Sequence, residues 1–531
     1  MNEAMKWWTR CKSAFEKEWV QVVAMFVVIS AFHLWSLMRI PPPFVDEAWN
    51  AARVWGLIRT GRPFGQLDAG VFDRYEGYWT FFPWLAVWVQ SLSVRIAGAP
   101  TLFAVRVVSL VFGLVLLAAA YVIARHLGGR KLALLSTFLV SVSWPFFYTA
   151  HSARVDVMAA AMGFVSIALF LKNQADRWWI GVLGGLCISL AFEIHPHSVI
   201  LGLVLGGLYL WHWRWSMFHK RHFWGSVVGA GMGGVFYVAL HVLPYPETYV
   251  ALSQLAYGPT HTPPLLALNV GVLAQAFTDM GWLLVAAYQP LLPIIVWSAV
   301  FLLRRRTAGD KMLLVAGALS VLASTVLFRN KFLYYVILFS PFLDLMVSVL
   351  LLHSFQQRYR RRLLGLISRV LIWGLCAGSI ALNLSGLRTH YGENYEVVQS
   401  RINQVVQPGE VIIGPQTYWL GLRDHEYYSW EELVYYQRYA PGSDLEDALA
   451  EFRPDIFIID GELDVWIGDE SGDSTYSQHL QLSRSELEGF LERQASLVTE
   501  FKGGFYGRVR VYRIVWDESA RGSRAEGSWD E

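Results

Sequence analysis

An adjacent pair of acidic side chains, Asp46 and Glu47, is the feature of the sequence best suited to chemistry. The pair follows an apolar segment and three consecutive prolines. A carboxylate held at the edge of an apolar region can deprotonate a hydroxyl nucleophile, which makes Asp46 a candidate general base. The position equally suits a helix start, with Asp46 as the cap and Glu47 in the first turn. Both interpretations stay open at this stage, and the two roles are compatible.

A second constellation of polar residues is the short stretch from His151 to Asp156, which separates two apolar segments. Arg154 and Asp156 have opposite charges and lie two residues apart. They fit a surface ion pair in which the arginine extends towards the membrane interface. They also fit one wall of a substrate pocket.

A third constellation is Glu193-Ile-His195-Pro-His197, at the junction of two further apolar segments. Glutamate and histidine are metal ligands, but the spacing supplies no fourth ligand and no helical i, i+4 pair. We therefore favour polar lining of a cavity. No cofactor is required by the sequence, and a divalent metal is unsupported.

A fourth constellation is Arg329-Asn-Lys331-Phe-Leu-Tyr334-Tyr335. Two cations beside two tyrosines at headgroup depth can bind the phosphate of a lipid. The same residues can anchor the chain at the membrane interface. These cations depart from the distribution of the other basic residues, which favours the phosphate interpretation.

The elements that must position these residues are predominantly apolar helices. The 531 residues are 54% hydrophobic and 16% charged, whereas soluble domains are about 25% charged. Eleven segments have the length and polarity of transmembrane helices, and the chain is predicted to be an α-helical polytopic membrane protein. They are Trp19–Met38, Leu102–Ala124, Leu132–Thr149, Val155–Leu171, Trp178–Ile194, Val199–Trp213, Phe223–Leu243, Trp282–Leu303, Met312–Phe328, Leu333–Leu352 and Leu363–Gly386. Gly229–Gly234 matches a nucleotide-binding pattern but lies inside an apolar span, so its small residues predict close helix packing.

The basic residues predict the orientation of these spans. They cluster at the N-terminus and in alternate loops, as the positive-inside rule requires of cytoplasmic segments. The clusters are Lys6, Arg10, Lys12 and Lys17; Arg125, Arg130 and Lys131; Lys172 and Arg177; Arg214, Lys220 and Arg221; Arg304 to Arg306 and Lys311; and Arg358 with Arg360 to Arg362. We therefore expect a multi-pass plasma-membrane protein with a cytoplasmic N-terminus and an extracytoplasmic C-terminal domain.

The charge balance divides the chain at residue 387. Of 42 acidic and 44 basic residues, 15 and 31 precede Leu387, which makes residues 1–386 strongly basic and residues 387–531 acidic. We predict a transmembrane domain of residues 1–386 and a soluble α/β domain of residues 387–531. Its predicted strands are Glu410–Ile413, Asp455–Asp460 and Gly507–Val515, and its clearest helix is Arg484–Thr499.

The basic residues form no single face, which excludes a nucleic-acid partner, and three cysteines exclude a disulfide framework.

The first outer loop, residues 39–101, is too apolar for a free loop. Asp46–Thr60 is predicted to be an amphipathic helix with Ala48, Ala51, Ala52, Trp55 and Ile58 on one side. Tyr78–Ile96 is a second segment, rich in aromatic residues that favour the headgroup zone. We expect both to lie on the outer membrane surface.

The order of these motifs resembles the C-type (GT-C) membrane glycosyltransferases, in the branch of protein O-mannosyltransferases and lipid A aminoarabinose transferases. The resemblance rests on Asp46-Glu47 before a surface helix, Gly77-Tyr78-Trp79, Phe103-Ala-Val-Arg106-Val-Val-Ser109, His151–Asp156 and Leu333–Pro341. It implies a GT-C fold and transfer of a sugar, usually with inversion, from a polyprenyl-phosphate carrier to an acceptor hydroxyl on the outer face. The acceptor, which can be a glycan, a lipid or a protein, is left open.

The resemblance also implies roles for individual residues. Asp46 would deprotonate the acceptor with support from Glu47, Arg154 and Asp156 would shape the donor pocket, and Arg329 and Lys331 would neutralise the phosphate. Three departures separate this chain from the aminoarabinose transferases. Ala48-Trp49-Asn50 replaces their Arg-Tyr, and Tyr75-Glu76-Gly77 replaces their Pro-Pro turn before the second surface helix. Glu193 with two histidines stands where those relatives often carry lysine. The sugar and the acceptor therefore cannot be carried over from that subfamily.

Two other classes of function fit a polytopic chain. A transporter or lipid flippase often shows internal repeats and ionisable residues at the midplane. This sequence has no evident repeat, and Asp344 alone lies deep in a predicted span. A receptor or scaffold would explain the C-terminal domain but not the surface-lying loop that begins with two acids. The glycosyltransferase interpretation accounts for the most features.

Overall fold

The computed structural model describes residues 18–173, 175–257, 263–266, 269–356, 362–468 and 482–516. The basic residues predicted at the N-terminus, and Arg358, Arg360 and Arg361, lie outside these ranges. The chain forms two compact units. The first comprises Met1–Pro41 and Thr80–His390, and the second comprises Pro42–Trp79 and Tyr391–Glu531. The division at residue 387 remains a prediction.

The first unit is helical throughout its described part. Its main helices are Glu18–Ser36, Trp84–Ala97, Leu102–Val142, Trp144–Ala150, Asp156–Lys172, Trp178–Ile194, Val199–Trp213, Arg221–Tyr237, Pro246–Tyr257, Val270–Tyr288, Leu292–Arg305, Ala308–Leu327, Ser340–Gln356 and Arg362–Ser385. Six described segments are long and apolar enough to cross a membrane, judged by length and composition. They are Glu18–Ser36, Leu102–Val142, Arg221–Val242, Val270–Tyr288, Ala308–Leu327 and Arg369–Asn403, the last of which continues past the end of this unit at His390. Shorter apolar helices accompany them. The predicted multi-span helical fold is therefore confirmed.

Small residues allow two of these helices to pack closely. A side chain at Gly225 would meet the carbonyl oxygen of Trp178 at 2.1 Å, and one at Gly229 would meet that of Val182 at 2.1 Å. The glycine run therefore brings the Arg221–Tyr237 helix against the Trp178–Ile194 helix, as its spacing predicted.

Four predicted spans differ from the structure in where their helices begin, end or break. The single span predicted over Trp282–Leu303 is wrong, because the chain breaks at Gln289-Pro290 between the helices Val270–Tyr288 and Leu292–Arg305. The predicted Leu333–Leu352 helix starts as a 3₁₀ helix, Leu333–Leu338. The predicted spans Leu102–Ala124 and Leu132–Thr149 form one segment, Leu102–Val142, which is kinked where Gly128 and Gly129 have non-helical backbone angles. A separate helix, Trp144–Ala150, takes the end of the second predicted span.

The second unit contains a five-stranded mixed sheet. Its strands are β1 (Ile412–Gly414), β2 (Tyr427–Ser429), β3 (Ile456–Ile459), β6 (Ala495–Lys502) and β7 (Arg508–Ile514). They lie in the order β2-β1-β3-β7-β6. Strand β1 runs parallel to β2 and β3, whereas β7 is antiparallel to β3 and β6. Strands β4 (Ile467–Gly468) and β5 (Leu482–Ser483) form a separate parallel pair. The helices around the sheet are Tyr391–Asn403, Trp419–Leu422, Glu431–Tyr439, Leu445–Phe452, Leu463–Trp466 and Arg484–Gln494.

The three strands predicted for this region are confirmed, but the predicted helix Arg484–Thr499 is too long. The helix ends at Gln494, and Ala495 begins β6, which pairs with β7. The β-branched and aromatic residues Val498, Thr499 and Phe501 favour a strand once β7 offers an edge to pair with.

Residues 42–79 belong to this second unit. Their main element is the helix Val45–Thr60, which ends where Gly61 adopts a left-handed conformation with φ 76°. Ala48, Ala51 and Ala52 are buried, so the predicted apolar face of this helix packs inside the unit. Short 3₁₀ helices follow at Gln66–Asp68, Phe72–Arg74 and Tyr78–Phe81.

Candidate active site

The first candidate residues lie at the start of the Val45–Thr60 helix. The backbone N–H of Phe44 donates to Glu47 Oε2 at 3.0 Å, and the N–H of Glu47 donates to the carbonyl of Phe44 at 3.0 Å. Glu47 is 1% exposed, whereas Asp46 is half-buried. The cap that we considered for Asp46 is therefore made by Glu47. The less buried Asp46 carboxylate lies in the first turn, where the helix dipole favours a negative charge.

Asp68 stabilises the position of this helix. Arg53 donates to both carboxylate oxygens of Asp68, at 2.7 and 3.0 Å, and the Gly65 N–H donates to Oδ2 at 3.0 Å. Trp49 Nε1 is a further donor to the same carboxylate. Bidentate arginine–carboxylate pairs are strong and directional, so the first helical turns are tied to the following loop. Sequence reasoning did not identify this pairing.

The first unit contains a second set of candidates, centred on a buried ion pair. Arg154 Nε donates to Asp156 Oδ2 at 2.8 Å, and the two residues are 5% and 1% exposed. The guanidinium carbon of Arg154 lies 3.3 Å from the centroid of the Tyr334 ring. Because both charges are buried, the surface ion pair that we considered is wrong, and these residues can form one wall of a site.

Two neutral histidines lie beside this ion pair. The backbone N–H of His197 donates to His195 Nδ1 at 3.2 Å, so the proton of a neutral His195 is on Nε2, 3.8 Å from Asp156 Oδ1. Burial lowers the pKa of His195 to about 3, and Arg154 adds to this shift. Burial, with His195 nearby, also holds the pKa of His197 well below its usual value. His195 can therefore donate a hydrogen bond without carrying a charge.

Aromatic side chains orient the second histidine. The His197 ring stacks on Phe328 with centroids 3.9 Å apart and on Tyr335 with centroids 4.1 Å apart. Tyr334 and Tyr335 thus contact different members of the set, Arg154 and His197. Within the described ranges, no group of three histidine, cysteine, aspartate or glutamate side chains is placed to hold a metal ion.

Lys331 and Arg329 supply positive charge in the loop after the Ala308–Leu327 helix. Lys331 Nζ donates to the carbonyl of Thr325 at 3.1 Å and to that of Phe328. Desolvation lowers the pKa of Lys331 to about 8, although Asp279 opposes the shift. Arg329 is exposed. An ammonium has three donors, so Lys331 keeps one for a ligand.

Glu193 caps the Trp84–Ala97 helix, whereas His195 and His197 lie beside the Arg154–Asp156 ion pair. Its Oε1 accepts from the backbone N–H of Trp84 at 2.6 Å and of Leu85 at 3.0 Å, at the start of the Trp84–Ala97 helix. His241 Nε2 is 3.4 Å from the same oxygen. Glu193 therefore orients that helix, and the cavity-lining role of the same residue stays a prediction.

His151 also has a role that the sequence did not suggest. Its Nδ1 bonds to the carbonyl of Ile40 at 3.1 Å, and its Nε2 lies 2.8 Å from His33 Nδ1. Arg106, which is fully buried, donates to the carbonyls of Leu37 and Pro41 at 3.0 and 3.1 Å. These side chains hold the end of the first helix in place. For His33 and Arg106 the sequence held a signal, since each is an ionisable residue inside an apolar segment.

The comparisons with known proteins agree with this fold. Residues 82–238 match the family model of dolichyl-phosphate-mannose-protein mannosyltransferases. The structure is similar to that of ArnT from Cupriavidus metallidurans bound to undecaprenyl phosphate, with a TM-score of 0.57 and 15% identity over 95% of this chain and 99% of that one. It is also similar to the oligosaccharyltransferase AglB from Archaeoglobus fulgidus in complex with an inhibitory peptide and a dolichol-phosphate, with a TM-score of 0.51 and 12% identity over 93% of this chain and 74% of that one. A comparison with curated protein sequences found no match.

Proposed function

For a chain that has the GT-C fold of membrane glycosyltransferases, we propose sugar transfer from a polyprenyl-phosphate carrier to an acceptor hydroxyl, with Asp46 as the general base. The observation that carries the proposal is that the two adjacent acids, Asp46 and Glu47, differ in burial and in hydrogen bonding. Glu47 is buried and committed to the helix cap, whereas Asp46 is the less buried neighbour in the same turn. The structural neighbours were solved with undecaprenyl phosphate and dolichol-phosphate, which supports a polyprenyl-phosphate carrier here.

In the proposed reaction, the acceptor oxygen attacks the anomeric carbon of the sugar. Asp46 takes the hydroxyl proton, a new C–O bond forms, and the bond from the anomeric carbon to the phosphate oxygen breaks. The electron pair of that bond stays on the phosphate, so the products are the glycosylated acceptor and the free polyprenyl phosphate. A single displacement of this kind inverts the anomeric configuration.

The donor site is proposed to use the charges of the first unit. Negative charge develops on the phosphate as the glycosyl bond breaks, and fixed cations near it lower the barrier. Lys331 has one N–H available, and Arg154 is held rigidly by Asp156 and Tyr334. The neutral His195 can serve as a donor to a sugar or phosphate oxygen, with His197 and Tyr335 supporting it. Arg329 is exposed and suits the approach of the anionic lipid.

The proposal includes an orientation in the membrane. The chain is a multi-pass membrane protein. We place the N-terminus in the cytoplasm because the basic loops alternate along the chain. The acceptor hydroxyl then lies on the outer face, and its carrier is a glycan, a lipid or a protein.

A panel of radiolabelled polyprenyl-phosphate sugars, tested on the purified protein in vesicles, measures this function. We expect release of free polyprenyl phosphate together with labelled acceptor when cell-envelope extract supplies the acceptor. Transbilayer movement of the intact donor without cleavage of the glycosyl bond would contradict the proposal and favour a flippase. Arg154→Gln is expected to reduce turnover at least ten-fold, since a hydrogen bond to a charged group contributes about 1.5–3 kcal/mol.

A further inference from the structure

The carboxyl ends of the parallel strands in the second unit form an edge that the segment carrying Asp46 covers. In open α/β sheets, ligands bind in the crevice outside the carboxyl ends of the strands. Here β1, β2 and β3 end at Gly414, Ser429 and Ile459, and polar residues follow each of them. The helix Val45–Thr60 packs against the 3₁₀ helix Gln416–Tyr418 that follows β1. The position where such sheets hold a ligand is therefore taken by the segment that carries Asp46.

Side-chain hydrogen bonds of Gln66 fix the part of this segment that follows the Val45–Thr60 helix. Trp419 Nε1 donates to Gln66 Oε1 at 2.8 Å, and Gln66 Nε2 donates to the carbonyl of His425. Gln66 thus bonds to two points of the connection between β1 and β2, residues 415–426. Trp419 is 1% exposed, so this bridge has little competition from water.

A buried carboxyl group after β2 fixes the next part of the segment. Glu432 Oε2 accepts from the backbone N–H of Val71 at 3.0 Å, and Glu432 is fully buried. Burial raises the pKa of Glu432 well above its usual value, with Asp68 and Asp73 adding to the shift. The Val71 bond therefore ties the segment after Asp68 to the helix Glu431–Tyr439 that follows β2.

A third contact lies just before the Asp46 helix. Tyr506 Oη donates to the carbonyl of Pro43 at 3.4 Å, three residues before Asp46. Tyr506 is 2% exposed, and its ring lies 5.9 Å from the ring of Tyr418. The sheet unit consequently contacts the chain on both sides of the candidate base.

We propose that this carboxyl edge is a positioning device for Asp46, in which Trp419, Gln66 and Tyr506 hold the Val45–Thr60 helix as other α/β sheets hold a ligand. These three are positioning residues and do not touch the reacting atoms. The inference rests on the proposed function, because it gives Asp46 a role whose geometry matters. A displacement of about 1 Å at a catalytic group can cost about 100-fold in rate, so small anchors can have large effects on turnover.

The test compares Gln66→Leu and Tyr506→Phe with the wild type in the full-length protein in lipid nanodiscs. Both changes remove hydrogen bonds without adding charge. We expect kcat to fall by about 10–100-fold while the donor KM changes less than two-fold, since the residues assigned to the phosphate belong to the first unit. Hydrogen exchange of residues 45–60 should become faster in the same variants. Trp419→Phe should add little to Gln66→Leu, because both remove the same bond.

Two controls separate a failure of the positioning role from a failure of the proposed function. Glu500→Gln removes the exposed ion pair with Arg508 in the β6–β7 hairpin, and it should change neither kcat nor exchange of residues 45–60. If Gln66→Leu does not fold, Tyr506→Phe, which loses one hydroxyl, carries the test. An unchanged kcat in Tyr506→Phe and Gln66→Leu, with Asp46→Asn inactive, would overturn the positioning role alone. Full turnover in Asp46→Asn would instead refute the proposed function.

Discussion

Replacement of Lys331 by methionine provides a quantitative test of the proposed phosphate site. The lysine ammonium donates to the carbonyls of Thr325 and Phe328 and has one N–H left for a ligand. Methionine has a similar length and no charge, so Lys331→Met removes the cation while keeping most of the packing. The expected result is weaker binding of the phosphate, together with a lower thermal stability because the two hydrogen bonds to backbone carbonyls are also lost.

The size of the effect follows from the charge and the geometry. A hydrogen bond to a charged group contributes about 1.5–3 kcal/mol, which corresponds to a rise in Kd of about 10–150-fold. Desolvation lowers the pKa of Lys331 to about 8. Because only the ammonium binds phosphate, wild-type affinity should be constant below pH 8 and fall about ten-fold per pH unit above it. Lys331→Arg should abolish this fall, since a guanidinium stays charged.

The assay measures binding of farnesyl methyl phosphate to purified protein in detergent from pH 6 to pH 9.5. This phosphodiester keeps one negative charge throughout that range, so the pH dependence reports the protein. Lys172→Met is the matched control, because Lys172 is exposed at the opposite end of the helix that begins with Asp156. A Lys331→Met variant with the affinity and pH profile of the wild type would refute the phosphate role of Lys331.

Three further predictions concern stability. Glu193→Ala removes the acceptor for the first amides of the Trp84–Ala97 helix and should cost about 0.5–2 kcal/mol, seen as a lower Tm in detergent; a Tm equal to that of Glu193→Gln would contradict the capping role. Asp156→Asn leaves a buried Arg154 without its counter-charge and should lower the Tm more than Arg329→Gln does, because breaking a buried pair costs about 3–5 kcal/mol. Burial raises the pKa of Glu431 and of Glu462 to about 7, so the folded second unit holds protons that the unfolded chain releases near pH 4.5. The contribution of these two carboxyl groups to the stability of the unit should therefore be fully present below pH 4.5 and be lost as the pH rises towards 7; protection factors of β1 and β3, corrected for the intrinsic pH dependence of exchange, that do not decrease over this range would contradict the shift.

Most membrane helices could be predicted because their length and polarity are local properties. The largest error concerns the region from Val270 to Arg305, where two helices meet at Gln289-Pro290. The run Leu283 to Val300 is almost continuously apolar, so hydropathy alone merges the two helices. Pro290 and Pro293 were the available signal, since proline favours a helix break or a helix start.

The site could be predicted only where its members are close in sequence. Arg154 and Asp156 share one turn, and the structure pairs them. The stacking of His197 on Phe328 and Tyr335 joins segments more than 130 residues apart, and no spacing rule reports such a contact. The roles of Glu193 and Gln66 are similarly non-local, because each depends on which backbone groups the fold brings to it.

The most direct test of the central claim is turnover by Asp46→Asn beside the wild type, with the affinity for a polyprenyl-phosphate sugar measured on the same preparations. Glu76→Gln, an exposed acid in the same segment, is the control. Loss of general-base catalysis costs about 100–10,000-fold, so Asp46→Asn should bind the donor normally and transfer sugar at least about 100-fold more slowly, while Glu76→Gln stays active. Transfer by Asp46→Asn within a few-fold of the wild type would contradict the assignment of Asp46 as the base.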